Sequence, residues 1–170
     1  MKLMKILTFV AVALLLTSSA MAQKFGFVDS ERIQNNYKEW VRAQDQFNTE
    51  LQAWEDQASE MEKDLRDMVN EYDKQKLILS AEKKAEREAA ITAKQQALQA
   101  FTRQVSGPGG QAEQRMQELV KPLYERIQAA IEQIAIEGNY DFIFNSEGLA
   151  YARQELDVTD KVLEILESGE

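Results

Sequence analysis

The sequence predicts an α+β protein in which a small β-rich oligomerisation body carries a long antiparallel coiled-coil helical hairpin. Three observations predict it. Short aromatic segments stand near both ends of the chain, an apolar stripe with steps of three and four residues fills the middle, and neither Pro nor Gly occurs from Ser30 to Ser106. A period of two near the ends and a sustained 7/2 period between them are the patterns of strands and of a coiled coil.

The first 22 residues read as an export leader. Lys2 and Lys5 give a positive start, Ile6 to Leu16 is apolar except for Thr8, and Ala20-Met21-Ala22 is a small-x-small cleavage site before Gln23. The apolar run is shorter than the roughly 20 residues needed to span a bilayer. Removing this leader from the 170-residue chain leaves 148 residues and takes the net charge from −9 to −11.

Lys24 to Val28 is a strand candidate, and Asp29-Ser30 offers a helix N-cap with Glu31 in the first turn. The seam then runs Ile33, Tyr37, Trp40, Gln44, Phe47, Leu51, Trp54, Ala58, Met61, Leu65, Met68, Tyr72, with Gln44 its one polar member. Its large aromatics suit a wide antiparallel pair, or faces partly open to something else, better than a tight parallel dimer. Ser80 can cap a second helix, and symmetry between the terminal segments puts the hairpin tip near 79–84. Each arm is then about 50 residues, or about 75 Å at 1.5 Å per residue. Gly107-Pro108-Gly109-Gly110 is a stronger breaker by composition. A tip there would leave much of the outgoing seam unpartnered, so 106–110 reads as a break within the returning arm.

The returning stripe is Ile91, Lys94, Leu98, Phe101, Val105 before that break and Met116, Val120, Leu123, Ile127, Ala130, Ile134 after it. The second series is displaced by one residue from the first, a slip that the break can absorb. Pro122 adds a bend. Gly138-Asn139 ends the return helix with a left-handed residue. Tyr140 to Phe144 is a second strand, Leu149 to Ala152 a third, and Thr159 starts a short final helix with Val162, Leu163, Ile165 and Leu166 on its apolar face. The organisation is a leader over 1–22, a discontinuous body over 23–30 and 138–170, and the arm over 31–137. Phe25, Phe27, Phe142, Phe144 and Tyr151 are the candidate body and oligomer core, too many large aromatics for so small a sheet to bury within one chain.

Catalytic chemistry finds little footing. The chain has neither His nor Cys, which removes the usual zinc and transition-metal ligands and the commonest general base. Carboxylate pairs such as Glu55-Asp56, Glu60 with Asp64, and Glu86 with Glu88 are what an acidic coiled coil makes by composition. Ser106 to Gly110 lacks the Lys and Ser/Thr of a phosphate loop. Neither an enzyme activity nor a cofactor or metal is expected. The acidic chain as a whole will not seek nucleic acid. Charge is uneven, however: residues 23–73 sum to −7, 74–103 to +4 and 104–170 to −8. Lys76, Lys83, Lys84 and Arg87 therefore form a candidate contact patch near the tip, suited to weak contact with anionic lipid or an acidic partner.

The start FGFVDSERI, the turn region ILSAEKKAE and the closing YDFIFNSEGLAYA with LDVTDKVLEIL resemble the Skp/OmpH family of periplasmic chaperones across essentially the whole chain after residue 22. The resemblance implies a homotrimer with three helical arms around a cavity, and an ATP-independent holdase that binds unfolded outer-membrane proteins in the periplasm. One departure is charge, since the best-known member is strongly basic and this chain is acidic. The competing reading is a structural coiled-coil adaptor of the cell envelope.

Overall fold

Alternation in a strand sends successive side chains to opposite faces, and the first strand uses both faces. In the computed structural model, which describes residues 23–169, β1 (Phe25–Val28) turns Gly26 and Val28 inward and leaves Phe25 exposed. The leader reading lies outside the described residues. Asp29 then caps α1 (Ser30–Asn36), its side chain accepting from the Arg32 amide at 2.9 Å. The long arm follows as α2 (Lys38–Gln75) outward, α3 (Ala81–Ser106) and α4 (Gln111–Glu137) back. The chain closes with β2 (Phe142–Asn145), two single-turn 3-10 segments and α5 (Thr159–Ser168). Among the described residues no helix is long and apolar enough to cross a membrane.

β1 and β2 pair in parallel, Phe25 opposite Phe142 and Val28 opposite Asn145. Parallel neighbours need a long crossover, and here the crossover is the entire hairpin. The core of the base lies between one face of this sheet and the helices around it: Val28, Ile33, Tyr37, Leu123, Ile127, Ala130, Ile134, Val158, Val162 and Leu166. Polar ties close the two chain ends on each other. The Asp29 amide donates to the Thr159 hydroxyl at 2.9 Å, and Arg32 bridges Asp157 at 3.3 Å and Asp160 at 2.9 Å. The final helix takes the expected place, with Val162 and Leu166 buried and Leu163 and Ile165 packed against the core.

The outgoing seam is covered as its spacing predicts. Every predicted seam position from Ile33 to Tyr72 is buried or half-buried except Gln44, which is exposed. α2 packs against both α3 and α4, so 106–110 is a break in the returning arm and not the tip.

Four details differ from the sequence reading. The helix from Ser30 is interrupted at Tyr37, whose ψ of 109° is extended. No breaker marks the site. The tyrosine ring is fully buried beneath the Arg126 guanidinium while its hydroxyl donates to Glu39 at 2.8 Å, and this tertiary demand overrides local propensity. The tip turn occupies 76–80, a few residues before 79–84, with Ser80 capping α3 through the Lys83 amide at 3.3 Å. The left-handed end expected at Gly138-Asn139 is present, at Asn139 with φ of 49°, while Gly138 stays right-handed. The Tyr140 amide donates to the Ala135 carbonyl at 2.9 Å and the Asn139 amide to the Ile136 carbonyl at 3.3 Å, a Schellman end. Leu149 to Ala152 forms no strand, and among the described residues the sheet has two strands; its β1 edge instead meets Asp157 in one bridge.

The last difference concerns the phase slip. Val105 is buried, and Ala112, Arg115 and Leu119 continue its heptad phase in covered positions, whereas Met116 is exposed. The slip occurs between Leu119 and Val120, both half-buried, beside Pro122. The proline faces solvent and removes one helical donor there.

Candidate functional surfaces at the base and the tip

Parallel register puts paired residues on the same side of a sheet, so the partners Phe25 and Phe142, and Phe27 and Phe144, share the face turned away from the core. Phe25, Phe142 and Phe144 form a cluster with ring centroids 5.9 to 6.2 Å apart, the spacing at which aromatic pairs attract beyond simple burial. All three remain exposed, Phe142 to 52%. Phe27 is half-buried, and Tyr151 stands apart at 83% exposure in an irregular segment. The structure thus brings together three of the five candidate body residues as an outward aromatic face. The intramolecular core is a different set, led by Ile33, Tyr37, Val158 and Val162. Ile33 and Tyr37 were read on the seam and Val162 on the final helix, but apolar spacing does not reveal which element each will meet.

Lys24 anchors one margin of this base. Its amide donates to Asp141 at 2.7 Å, and its ammonium donates to the Gly138 carbonyl at 2.6 Å while lying 4.1 Å from the centre of the Tyr140 ring. A cation on the last carbonyl of a helix completes its C-terminus. On the inner face Gly26 gives the Tyr140 ring room, since a Cβ there would sit 3.1 Å from the ring. A groove bounded by Trp40, Tyr124, Ile131, Ile143 and Phe144 continues the apolar surface from the sheet onto α4.

The tip differs in chemistry. Leu77 and Ile78 are 90% and 85% exposed at its apex, a pair that the sequence reading passed over because it lies off the seam. Around them, Lys76 pairs with Asp73 at 2.9 Å and Lys83 with Glu86 at 2.5 Å. The Lys83 hydrogen bond holds the Glu86 carboxyl below its ordinary range. Local pairing of Lys76 and Lys83 leaves Lys74, Lys84 and Arg87 to carry the positive balance of the tip. Lys83, Lys84 and Arg87 stand in the first two turns of α3, not in the turn itself.

Between base and tip the arms are joined by side-chain rungs. Arg126 meets Glu39 in a close pair, Arg115 holds Glu50 with two bonds of 2.8 and 2.9 Å, and Lys94 reaches Asp64 at 2.8 Å. Nearest the tip the Tyr72 hydroxyl donates to Glu88. Arg115 lowers the Glu50 pKa and Lys94 lowers that of Asp64, in each case chiefly through the hydrogen bond. The carboxylates considered as acid/base candidates are thus used differently: Asp64 and Glu88 tie the arms, and Glu86 pairs within its helix. Among the described residues, no three potential metal ligands converge.

A strand-bounded base with a helical arm of α2, α3 and α4 is a specific arrangement, and the family model for outer membrane protein (OmpH-like) matches residues 24–166. The chain belongs to the OmpH-like family. A solved structure of a candidate outer membrane chaperone (OmpH-like) from Caulobacter crescentus superposes with a TM-score of 0.77 at 16% identity, covering 91% of this chain and 89% of that one. At that identity the likeness is one of fold. No curated protein matches the chain at a significant level. In this OmpH-like chain the aromatic base, the rungs and the basic tip all fall inside the matched residues.

Proposed function

We propose that this OmpH-like chain is an ATP-independent periplasmic holdase, assembled as a homotrimer, that binds unfolded outer-membrane β-barrel proteins and keeps them from aggregating. The observation that carries the proposal is the exposed cluster of Phe25, Phe142 and Phe144 on the outer face of a two-stranded sheet. An apolar face of this kind marks an association site. A second and third copy are the occupants that fit, because the face sits at the base, clear of the arms. Covering it there leaves three arms free to surround a client. Family membership and the chaperone description of the Caulobacter crescentus relative support the same reading, as does the export leader predicted over 1–22.

Holding without ATP needs a surface of low specificity, with weak apolar and polar contacts spread over a large area. The arms offer this: they carry scattered exposed apolar groups such as Val41, Val69 and Met116 among charged side chains. The test is dilution of a urea-unfolded outer-membrane β-barrel into buffer containing the chain but no nucleotide. The holdase suppresses turbidity at about one assembly per client. An unchanged turbidity, with binding of one folded envelope protein instead, would establish the structural adaptor.

The exposed Leu77-Ile78 apex favours a second contact, with anionic lipid. Two aliphatics near Lys74, Lys84 and Arg87 in the chain match the charge and the interfacial depth of such a surface. Vesicles containing phosphatidylglycerol should retain the wild-type chain at low salt. Retention should fall when Leu77 and Ile78 become Ser, or when Lys84 and Arg87 become Glu. Equal retention of all forms contradicts the contact.

A further inference from the structure

The rungs between the arms act as a ruler. From Glu50 to Asp64 the outgoing helix runs 14 residues, while their partners, Arg115 and Lys94, are 21 residues apart on the return chain. Two antiparallel helices joined at the same two levels need equal lengths, at about 1.5 Å per residue. The return arm therefore carries seven residues that add no length along the arm. Seven is one heptad, and it leaves a 7/2 seam in phase, whereas an excess of three or four would rotate the seam away from its partner. Coverage agrees: buried Val105 is followed seven residues later by half-buried Ala112, with Arg115 and Leu119 in the same phase.

The local chemistry is suited to looping out. Gly107 to Gly110 close a turn in which the Gly110 amide donates to the Gly107 carbonyl at 2.8 Å and Gly109 has φ of +70°. Pro followed by Gly at the two central positions, with positive φ at the second, is the type II pattern. A Cβ at Gly107 would lie 2.3 Å from the Arg103 carbonyl oxygen, and one at Gly110 would lie 2.5 Å from that of Val105. Side chains there would force the helix ends apart. The Gly109 amide donates to Glu113 at 2.9 Å and the Gln114 side chain donates to the Gly109 carbonyl at 2.8 Å, which closes the turn onto the start of α4.

We infer that the turn at 107–110 takes one heptad of the return chain out of line, a phase-neutral joint that makes the return side of the arm compliant while both flanking stretches keep their partners on α2. Because α2 is continuous past this level, the outer and inner parts of the arm tilt by bending one helix, and the spare heptad supplies the slack. This device is independent of what the arm holds.

The chain has no cysteine, so Ala93→Cys and Gln117→Cys, both at exposed positions, give a unique spin-label pair across the joint. Labelled chain is diluted with unlabelled chain so that only intrachain distances are read. The inference predicts a mean near that of 17 helical residues, about 26 Å. Deleting residues 106–112 should keep that mean within about 3 Å and narrow the distribution. A native mean about 10 Å longer than that of the deletion variant, as an in-line heptad requires, overturns the inference. So does an unchanged width, or loss of the helical signal on deletion. Deleting only 107–110 leaves three residues of phase error and should lower the thermal midpoint below that of the seven-residue deletion; the reverse order counts against the joint.

Discussion

Ile33 and Tyr37 show how single residues fix the base. Ile33 is the buried residue of α1, set in the core of the base, and Tyr37 is fully enclosed at the point where α1 gives way to α2. Ile33→Ala should lower unfolding stability by about 2–5 kcal/mol, the range for truncating a buried aliphatic that leaves a cavity, read from urea melts at fixed protein concentration. Tyr72 gives a different signal at the other end of the arm. Its hydroxyl donates to Glu88, and that bond, with the carboxylate's charge, raises its pKa above the ordinary 10.0. A group raised on folding contributes stability below its unfolded pKa and loses it as pH rises through the folded value. Thermal midpoints should therefore fall above about pH 10 in the wild type, and Tyr72→Phe should lessen that alkaline fall. An identical decline in both would show that the bond contributes nothing.

At the scale of elements, the arm is an apolar seam with charged rungs, and its acid response follows from the rungs. Glu50 and Asp64 are held below their ordinary values of 4.5 and 3.8 by Arg115 and Lys94. Carboxylates lowered on folding contribute above their unfolded pKa, and that contribution is lost as pH falls through the lowered folded values. The arm should loosen below about pH 4, and Glu50→Gln with Asp64→Asn should flatten that limb. The effect is small because both pairs are at the surface and screened; added salt should shrink it further. Circular dichroism melts of wild type and double variant across pH 3–7 would check it, and parallel curves would contradict the role of the rungs.

The same scale shows what could be read from sequence. The outgoing seam was legible because eleven steps of three and four admit no strand reading, and the caps Asp29 and Ser80 were legible because each has a side chain that accepts from the turn that follows. The break at Tyr37 was not, since it is imposed by a buried pocket formed by residues nearly a hundred positions away. The tip fell a few residues early because no Gly or Pro marks it. The third strand failed for want of a partner: Leu149 to Ala152 has strand composition, but within one chain no edge receives it. Of the candidate residues, Phe25, Phe142 and Phe144 came together because strand alternation and register are readable, whereas Leu77 and Ile78 were hidden by lying off every periodic pattern.

At the scale of the whole molecule, an aromatic face at one end and a basic, apolar-tipped arm at the other divide the work. In the function proposed here the base joins copies, the arms hold a client, and the joint around 107–110 lets each arm adjust. Burying the aromatic rings between copies contributes about 1.5–3 kcal/mol for each fully covered side chain, so assembly and stability should be linked by mass action. Light scattering across a dilution series tests this central claim most directly, with wild type and Phe142→Asp measured side by side. The proposal predicts three copies for the wild type and dissociation to single copies for the variant, with the helical signal retained. A wild type that is monomeric at micromolar concentration, or a Phe142→Asp variant that stays assembled, would contradict it.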